Sequence, residues 1–138
     1  MTVPARLTLA RAAQAFEGTP FRLHGRDPQT GLDCLGLLAA ALASLGRSCP
    51  LPNGYHLRNR DATALLPEPT ALGFELGRGP GEPGDVLLLQ PGPAQFHLAI
   101  ALEAGRFVHA HAGIGRVVIS AGTLPWPVFE RWRLCSDN

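Results

Sequence analysis

Lysine is missing from this 138-residue chain: all twelve Lys+Arg positions are arginine. Beside abundant alanine, glycine and proline, that absence reads first as a coding bias. An excess of either charge is missing too. Twelve basic and eleven acidic side chains leave a formal net charge of +1, with 17% of residues charged. No basic field therefore exists to grip nucleic acid, and no self-repulsion to keep the chain unfolded. No apolar run approaches the roughly 20 residues that a bilayer-spanning helix needs, and residues 1–16 alternate arginine and alanine without the apolar stretch of a signal peptide. The expectation is a chain without membrane insertion and without an export route of its own. Cysteine is scarce, with three in the whole chain. An odd count in a chain too large to depend on stapling makes a disulfide framework a poor reading, and at least one thiol stands alone.

What is present is a 46% hydrophobic composition and a length that suits one domain, residues 1–138. Sixteen glycines and thirteen prolines require short elements with frequent turns, which excludes a helical bundle or coiled coil. Leu7, Leu9, Ala10, Ala13 and Phe16 recur at helical spacing and predict an amphipathic helix over Pro4 to Phe16. Gly25, Asp27, Pro28 and Gly31 make Phe21 to Leu32 a loop. Cys34 to Leu45 is apolar on every side, with Asp33 as N-cap and Gly46 as stop, and predicts a central buried helix. Cys49 to Pro83 reads as a long connection carrying one helix near Asp61 to Leu66. Beyond Gly84 the pattern turns to strands, at 85–90, 96–102, 106–111, 117–120 and 128–134. Helices followed by an antiparallel meander define an α+β class.

Cys34 opens the buried helix, where unpaired backbone N–H groups and the positive end of the dipole favour thiolate over thiol. A thiolate is the nucleophilic form, so this position predicts a reactive cysteine that alkylates quickly near neutral pH. The competing reading is a small buried hydrophobe.

A cysteine nucleophile needs a base, and His97 and His109 lie on successive predicted strands. The turn between them decides whether they meet. A two-residue Ala104-Gly105 loop would pair Glu103 with Arg106 and send the two histidines to opposite faces. A three-residue Glu103-Ala104-Gly105 loop, with glycine left-handed in third place, pairs Leu102 with Arg106, Ala99 with His109 and His97 with His111. His97, His109 and His111 then share one face, with His97 and His109 diagonal neighbours about 7–8 Å apart. The position of Gly105 favours this register. The histidines come without a carboxylate partner, so no metal and no cofactor is expected. Trp126 and Trp132 read as core or interface anchors, Asp85 as a turn-closing residue, and Cys49 and Cys135 as passive thiols.

Five short motifs in order, Gly18-Thr19-Pro20-Phe21-Arg22, Asp33-Cys34-Leu35-Gly36-Leu37, Pro83-Gly84-Asp85, His97-Leu98-Ala99-Ile100 and Phe107-Val108-His109-Ala110, resemble the NlpC/P60 family of cysteine peptidases. The resemblance implies a papain-like α+β fold, with N-terminal helices and the nucleophile helix packed on an antiparallel β-sheet. It implies Cys34 as nucleophile, His97 as general base and His109 as third, orienting residue, with His111 the alternative for that place. Asp33, Phe21 and Leu35 fall at positions the resemblance places near substrate. The implied substrate is the peptide stem of bacterial peptidoglycan, commonly cut between D-glutamyl and diaminopimelate residues. Phe21 stands where cell-wall members usually carry tyrosine, and Leu35 where they often carry serine. The leucine form is similar to the branch in phage tails and gene transfer agents. That implies a tail-tip component, with other tail-tip proteins as partners, made without a signal peptide and acting at the bacterial wall. The rival from another class is a structural tail-tip or assembly protein that keeps the fold with little catalysis.

Overall fold

Two helices lie on one face of a six-stranded antiparallel sheet, as the computed structural model shows for residues 4–47, 73–92, 95–122 and 126–135. Helix α1, Ala5–Gln14, buries Leu9, Ala10 and Ala13, and Gly18 at φ 91° lets the chain turn away beyond it. Helix α2, Cys34–Ser44, buries seven of its eleven residues, as its lack of a polar face demands. Between them, β1 (Arg26–Asp27) and β2 (Gly31–Leu32) form a two-stranded ribbon. Its turn residues were expected to make only a loop.

The main sheet contains β3 (Phe74–Leu76), β4 (Val86–Gly92), β5 (Gln95–Ala101), β6 (Arg106–His111), β7 (Arg116–Ala121) and β8 (Val128–Leu134), in the order β3-β8-β4-β5-β6-β7. The expected meander holds from β4 to β7 and fails at β8, which crosses back to lie between β3 and β4. A strand's local pattern does not name its neighbour. The apolar, charged and aromatic mixture of β8 suits either edge, and the partner is chosen by what needs covering. Strand β3 lies inside the segment read as a connection; the helix expected near Asp61 to Leu66, and Cys49, lie outside the described residues.

Alternation along the strands divides the sheet into two faces. Val86, Leu88, Phe96, Leu98, Ile100, Val108, Ala110 and Val117 join the buried residues of α1 and α2 in the main core. Leu87, Leu89, Ala99 and Phe107 form a smaller cluster on the opposite face, flanked by Ala101 and Trp126. Fully burying each large aliphatic side chain contributes about 1.5–3 kcal/mol, so the helix-facing side dominates stability.

The β5–β6 turn has the predicted register, with Ile100 opposite Val108 and Ala101 opposite Phe107. Leu102 N–H donates to the Arg106 carbonyl at 2.8 Å. One detail differs: Ala104, at φ 60°, is left-handed along with Gly105, at φ 70°. That conformation is uncommon for a residue with a Cβ.

Candidate active site

The amino end of α2 is held by Asp33. Its Oδ1 accepts from the Gly36 N–H at 2.8 Å, and its carbonyl accepts from the Leu37 N–H at 2.8 Å. Oδ2 accepts from the backbone N–H of His24 at 2.8 Å, tying the preceding loop to the helix start. His24 itself is left-handed at φ 62°. Four N–H groups at a helix start have no partner within the helix. The Asp33 carboxylate takes that of Gly36, the Leu37 N–H makes the first ordinary helical bond to the Asp33 carbonyl, and the N–H groups of Cys34 and Leu35 act on the Cys34 sulfur. The loop can lie this close because Gly36 has no side chain. A Cβ there would sit 2.0 Å from the Gly25 carbonyl oxygen.

A third N–H reaches the sulfur from the sheet, that of Leu98. Ala101 exchanges hydrogen bonds with the β4 side, through Gly84 and Asp85, while Leu102 bonds to Arg106 beside β6. By parity the Leu98 N–H points toward β6. The β5–β6 pairing does not extend past Ile100–Val108, so among the described residues this donor has no strand partner, and the start of α2 supplies sulfur in its place. Cys34 therefore meets β5 one residue from His97, where the two strands part.

His97 Nε2 lies 2.9 Å from His109 Nδ1, with ring centroids 5.1 Å apart and planes at 72°. His109 Nε2 lies 3.2 Å from Ser120 Oγ on β7. The diagonal approach expected of residues 97 and 109 is thus realised as a hydrogen bond. His111 is set apart: its ring is 5.5 Å from that of His109, and its Nδ1 accepts from the Ile114 N–H at 3.1 Å. Trp126 stands edge-on to His97 at 5.5 Å and 81°. Together with Pro91, Gln95, Phe96, His111, Ala112 and Gly113 they line a pocket of about 180 Å³.

Electrostatics reverse one expectation. Cys34 is 2% exposed, and burial, followed by the negative charge of Asp33, pushes its thiol from 9.0 up to about 12 against the opposing effect of the N–H groups of Leu98, Leu35 and Cys34. A helix start favours thiolate only where desolvation does not outweigh it. In the free protein Cys34 is a neutral thiol, and rapid alkylation near neutral pH is no longer expected. Burial also lowers His97 from 6.5 to about 3, helped by neighbouring His109 and His111, and lowers His109 to about 4. Both imidazoles are neutral at physiological pH.

Two further expectations change. Asp33 and Leu35 are completely buried, so neither presents surface to a substrate: Asp33 is a cap, and Leu35 belongs to the core. Phe21 is half-buried against that core, its N–H bonded to the Gly115 carbonyl at 2.9 Å. Trp126 and Ser120 were not singled out as site residues. Ser120 was discoverable, because on the predicted β7 it is a polar residue of the face that carries His109. Trp126 follows a segment without strand pattern, and nothing local aims it at His97. Among the described residues, no cluster of His, Cys, Asp and Glu is disposed to hold a metal ion.

A buried helix with a cysteine at its start, packed on an antiparallel sheet that carries a hydrogen-bonded histidine pair, fits the papain-like fold. The NlpC/P60 family pattern matches residues 18–126. The chain belongs to the NlpC/P60 family. Among solved structures, NlpC1 from Trichomonas vaginalis superposes with a TM-score of 0.73 at 19% identity, covering 100% of this chain and 46% of that one. The NlpC/p60 domain of the peptidoglycan hydrolase SagA gives 0.58 at 25% identity, covering 84% and 88%. The peptidoglycan hydrolase RipB from Mycobacterium tuberculosis gives 0.62 at 21%, covering 96% and 66%. This chain spans about half the length of the Trichomonas proteins it matches. No curated protein matches it.

Proposed function

We propose that this chain is a cysteine peptidase that hydrolyses the peptide stems of bacterial peptidoglycan, with Cys34 as nucleophile, His97 as general base and His109 as orienting residue. The observation that carries the reading is the 2.9 Å bond between His97 Nε2 and His109 Nδ1. Among the described residues it leaves His97 Nδ1 without a hydrogen-bond partner, on the strand whose next N–H lowers the Cys34 thiol pKa. The hydrolase names of SagA and RipB support the substrate class.

Neutral thiol and neutral imidazole define the chemistry. Cys34 gives its proton to His97 Nδ1 as sulfur attacks the stem-peptide carbonyl, and the N–H groups of Cys34 and Leu35 meet the developing oxyanion. His97 returns the proton to the leaving amine, giving a thioester. Water then attacks, loses a proton to His97 and releases the acid, and the sulfur recovers its proton. Cys34→Ala should abolish release of stem-peptide fragments from purified cell wall with an unchanged circular dichroism spectrum. Undiminished release would remove the mechanism, and mass analysis of the fragments would identify the bond.

The Asp33-Cys34-Leu35-Gly36 form supports placement at the tail tip of a phage-like particle. Recovery of the chain in purified particles tests this. The 2% exposure of Cys34 favours a second reading, a structural member with little catalysis. That reading predicts no fragment release by the wild type and no change in Cys34 alkylation when muropeptide is added.

A further inference from the structure

We infer that Ser120 is a positioning residue, the terminal acceptor of a hydrogen-bond chain that runs from His97 through His109 to the β7 hydroxyl. The inference rests on the peptidase reading above and extends it by one residue.

The argument follows from counting ring protons. When His97 holds the proton taken from Cys34, both of its nitrogens carry hydrogen, so Nε2 has to donate to its 2.9 Å neighbour, His109 Nδ1. His109, neutral, then accepts at Nδ1 and keeps its only ring proton on Nε2. That N–H belongs to a residue only 2% exposed, and leaving it without an acceptor is costly. Ser120 Oγ, 3.2 Å away, is the acceptor. Among the described residues, the other rings against His109 are those of Phe107, His111 and Trp126, with centroids 5.0, 5.5 and 6.1 Å away. Phe107 has no acceptor atom, the Trp126 N–H is a donor only, and His111 Nδ1 is engaged by the Ile114 N–H at 3.1 Å.

In the resting state a His97 ready to receive the Cys34 proton at Nδ1 already holds its own hydrogen on Nε2, so the chain runs the same way and His109 is the Nε2–H form. The charge that His97 gains during the reaction strengthens the demand on each acceptor along the chain. The hydroxyl therefore supports the transition state more than substrate binding, and its loss should appear in kcat rather than KM. The side chain sits on the strand next to β6, where Ser120 is paired with Phe107, so threonine preserves both the hydroxyl and the strand.

The test is steady-state cleavage of a soluble muropeptide by wild type, Ser120→Ala and Ser120→Thr, together with histidine ¹⁵N spectra that report which ring nitrogen of His109 is protonated. Ser120→Ala should lower kcat about three- to tenfold with KM nearly unchanged, Ser120→Thr should restore it, and the Nε2–H form of His109 seen in wild type should lose its dominance in the alanine variant. Equal kcat in wild type and Ser120→Ala, or a wild-type His109 protonated on Nδ1, would overturn the inference. A wild type that cleaves no muropeptide, yet shows the Nε2–H form and its dependence on Ser120, would instead overturn the peptidase reading and leave the hydrogen-bond chain standing.

Discussion

The entrance to α2, Asp33-Cys34-Leu35-Gly36, and the entrance to β4, Pro83-Gly84-Asp85, are built from the same two devices. Each has a glycine pressed against a carbonyl of a distant segment. A Cβ on Gly36 would lie 2.0 Å from the Gly25 oxygen, and one on Gly84, at φ 90°, would lie 1.8 Å from the Arg6 oxygen. Each also has a completely buried aspartate. The difference is in what answers the carboxylate. Asp85 accepts from Arg133 through both oxygens, at 2.8 and 3.0 Å, and lies 3.5 Å from Arg131 Nε. Asp33 accepts from backbone N–H groups of Gly36 and His24, and its charge is still felt by the Cys34 thiol. The arginine bonds of Asp85 staple a sheet, whereas the bonds of Asp33 to Gly36 and His24 fix a helix start, and its charge also bears on the chemistry beside it.

The largest effects should come from the sheet entrance. Asp85→Ala strips Arg133 of its buried partner and should lower unfolding free energy by about 3–5 kcal/mol. Gly84→Ala, which adds a clash to a left-handed backbone, should cost at least about 3 kcal/mol. Denaturant midpoints measure both. If the ion pair is the cause, Arg133→Ala combined with Asp85→Ala will cost less than the two losses added together.

Next comes the pH response of the site. His97 and His109 bind protons more weakly when folded, so their contribution is complete above about 6.5 and is lost as pH falls toward about 3 and about 4. From His97 alone, acidification from pH 6.5 to 4.5 should remove about 2–3 kcal/mol. His97→Gln should flatten that slope. Cys34 behaves oppositely, because its raised value means stability is complete below 9.0 and declines as pH rises toward about 12. Cys34→Ala should remove the alkaline decline, and a Cys34 variant that changes the acid limb instead would reverse this assignment.

Smaller effects are expected at the helix entrance. Asp33→Ala removes the cap and should cost about 2 kcal/mol. Asp33→Asn keeps an oxygen for the Gly36 N–H, loses the bond from His24, and should cost about 1 kcal/mol. Because it also removes the charge that raises the thiol, Cys34 should alkylate about three- to tenfold faster in Asp33→Asn than in wild type at pH 8. An unchanged rate would show that the two entrances differ in stability alone.

Much of this site was legible because it depends on local rules. The 97, 109 and 111 alternation and the length of the Glu103-Ala104-Gly105 turn specify which histidines share a face, and the structure follows them. The apolar surround of Cys34 to Leu45 announced a buried helix with Asp33 as its cap. His111 could not be separated from His109 by sequence, since both share a face with His97; in the structure His109 bonds His97, while the His111 ring is engaged by the Ile114 N–H. The raised pKa of the Cys34 thiol could not be read from the sequence for a related reason. A helix start is visible in the sequence, but the depth of its burial is not.

The sequence by itself determined the periodicities, the turn and the cap, because each depends on residues within a few positions of one another. It thereby determined which side chains of β5, β6 and β7 lie on the same side of the sheet. Tertiary structure alone decided that β8 lies between β3 and β4, that Trp126 stands against His97, and that the strands part where Cys34 enters. It also decided that thiol and imidazoles are neutral. Those outcomes depend on which distant segments exclude water from which groups, and the free energy of a charge is set by that surrounding medium rather than by its neighbours in the chain.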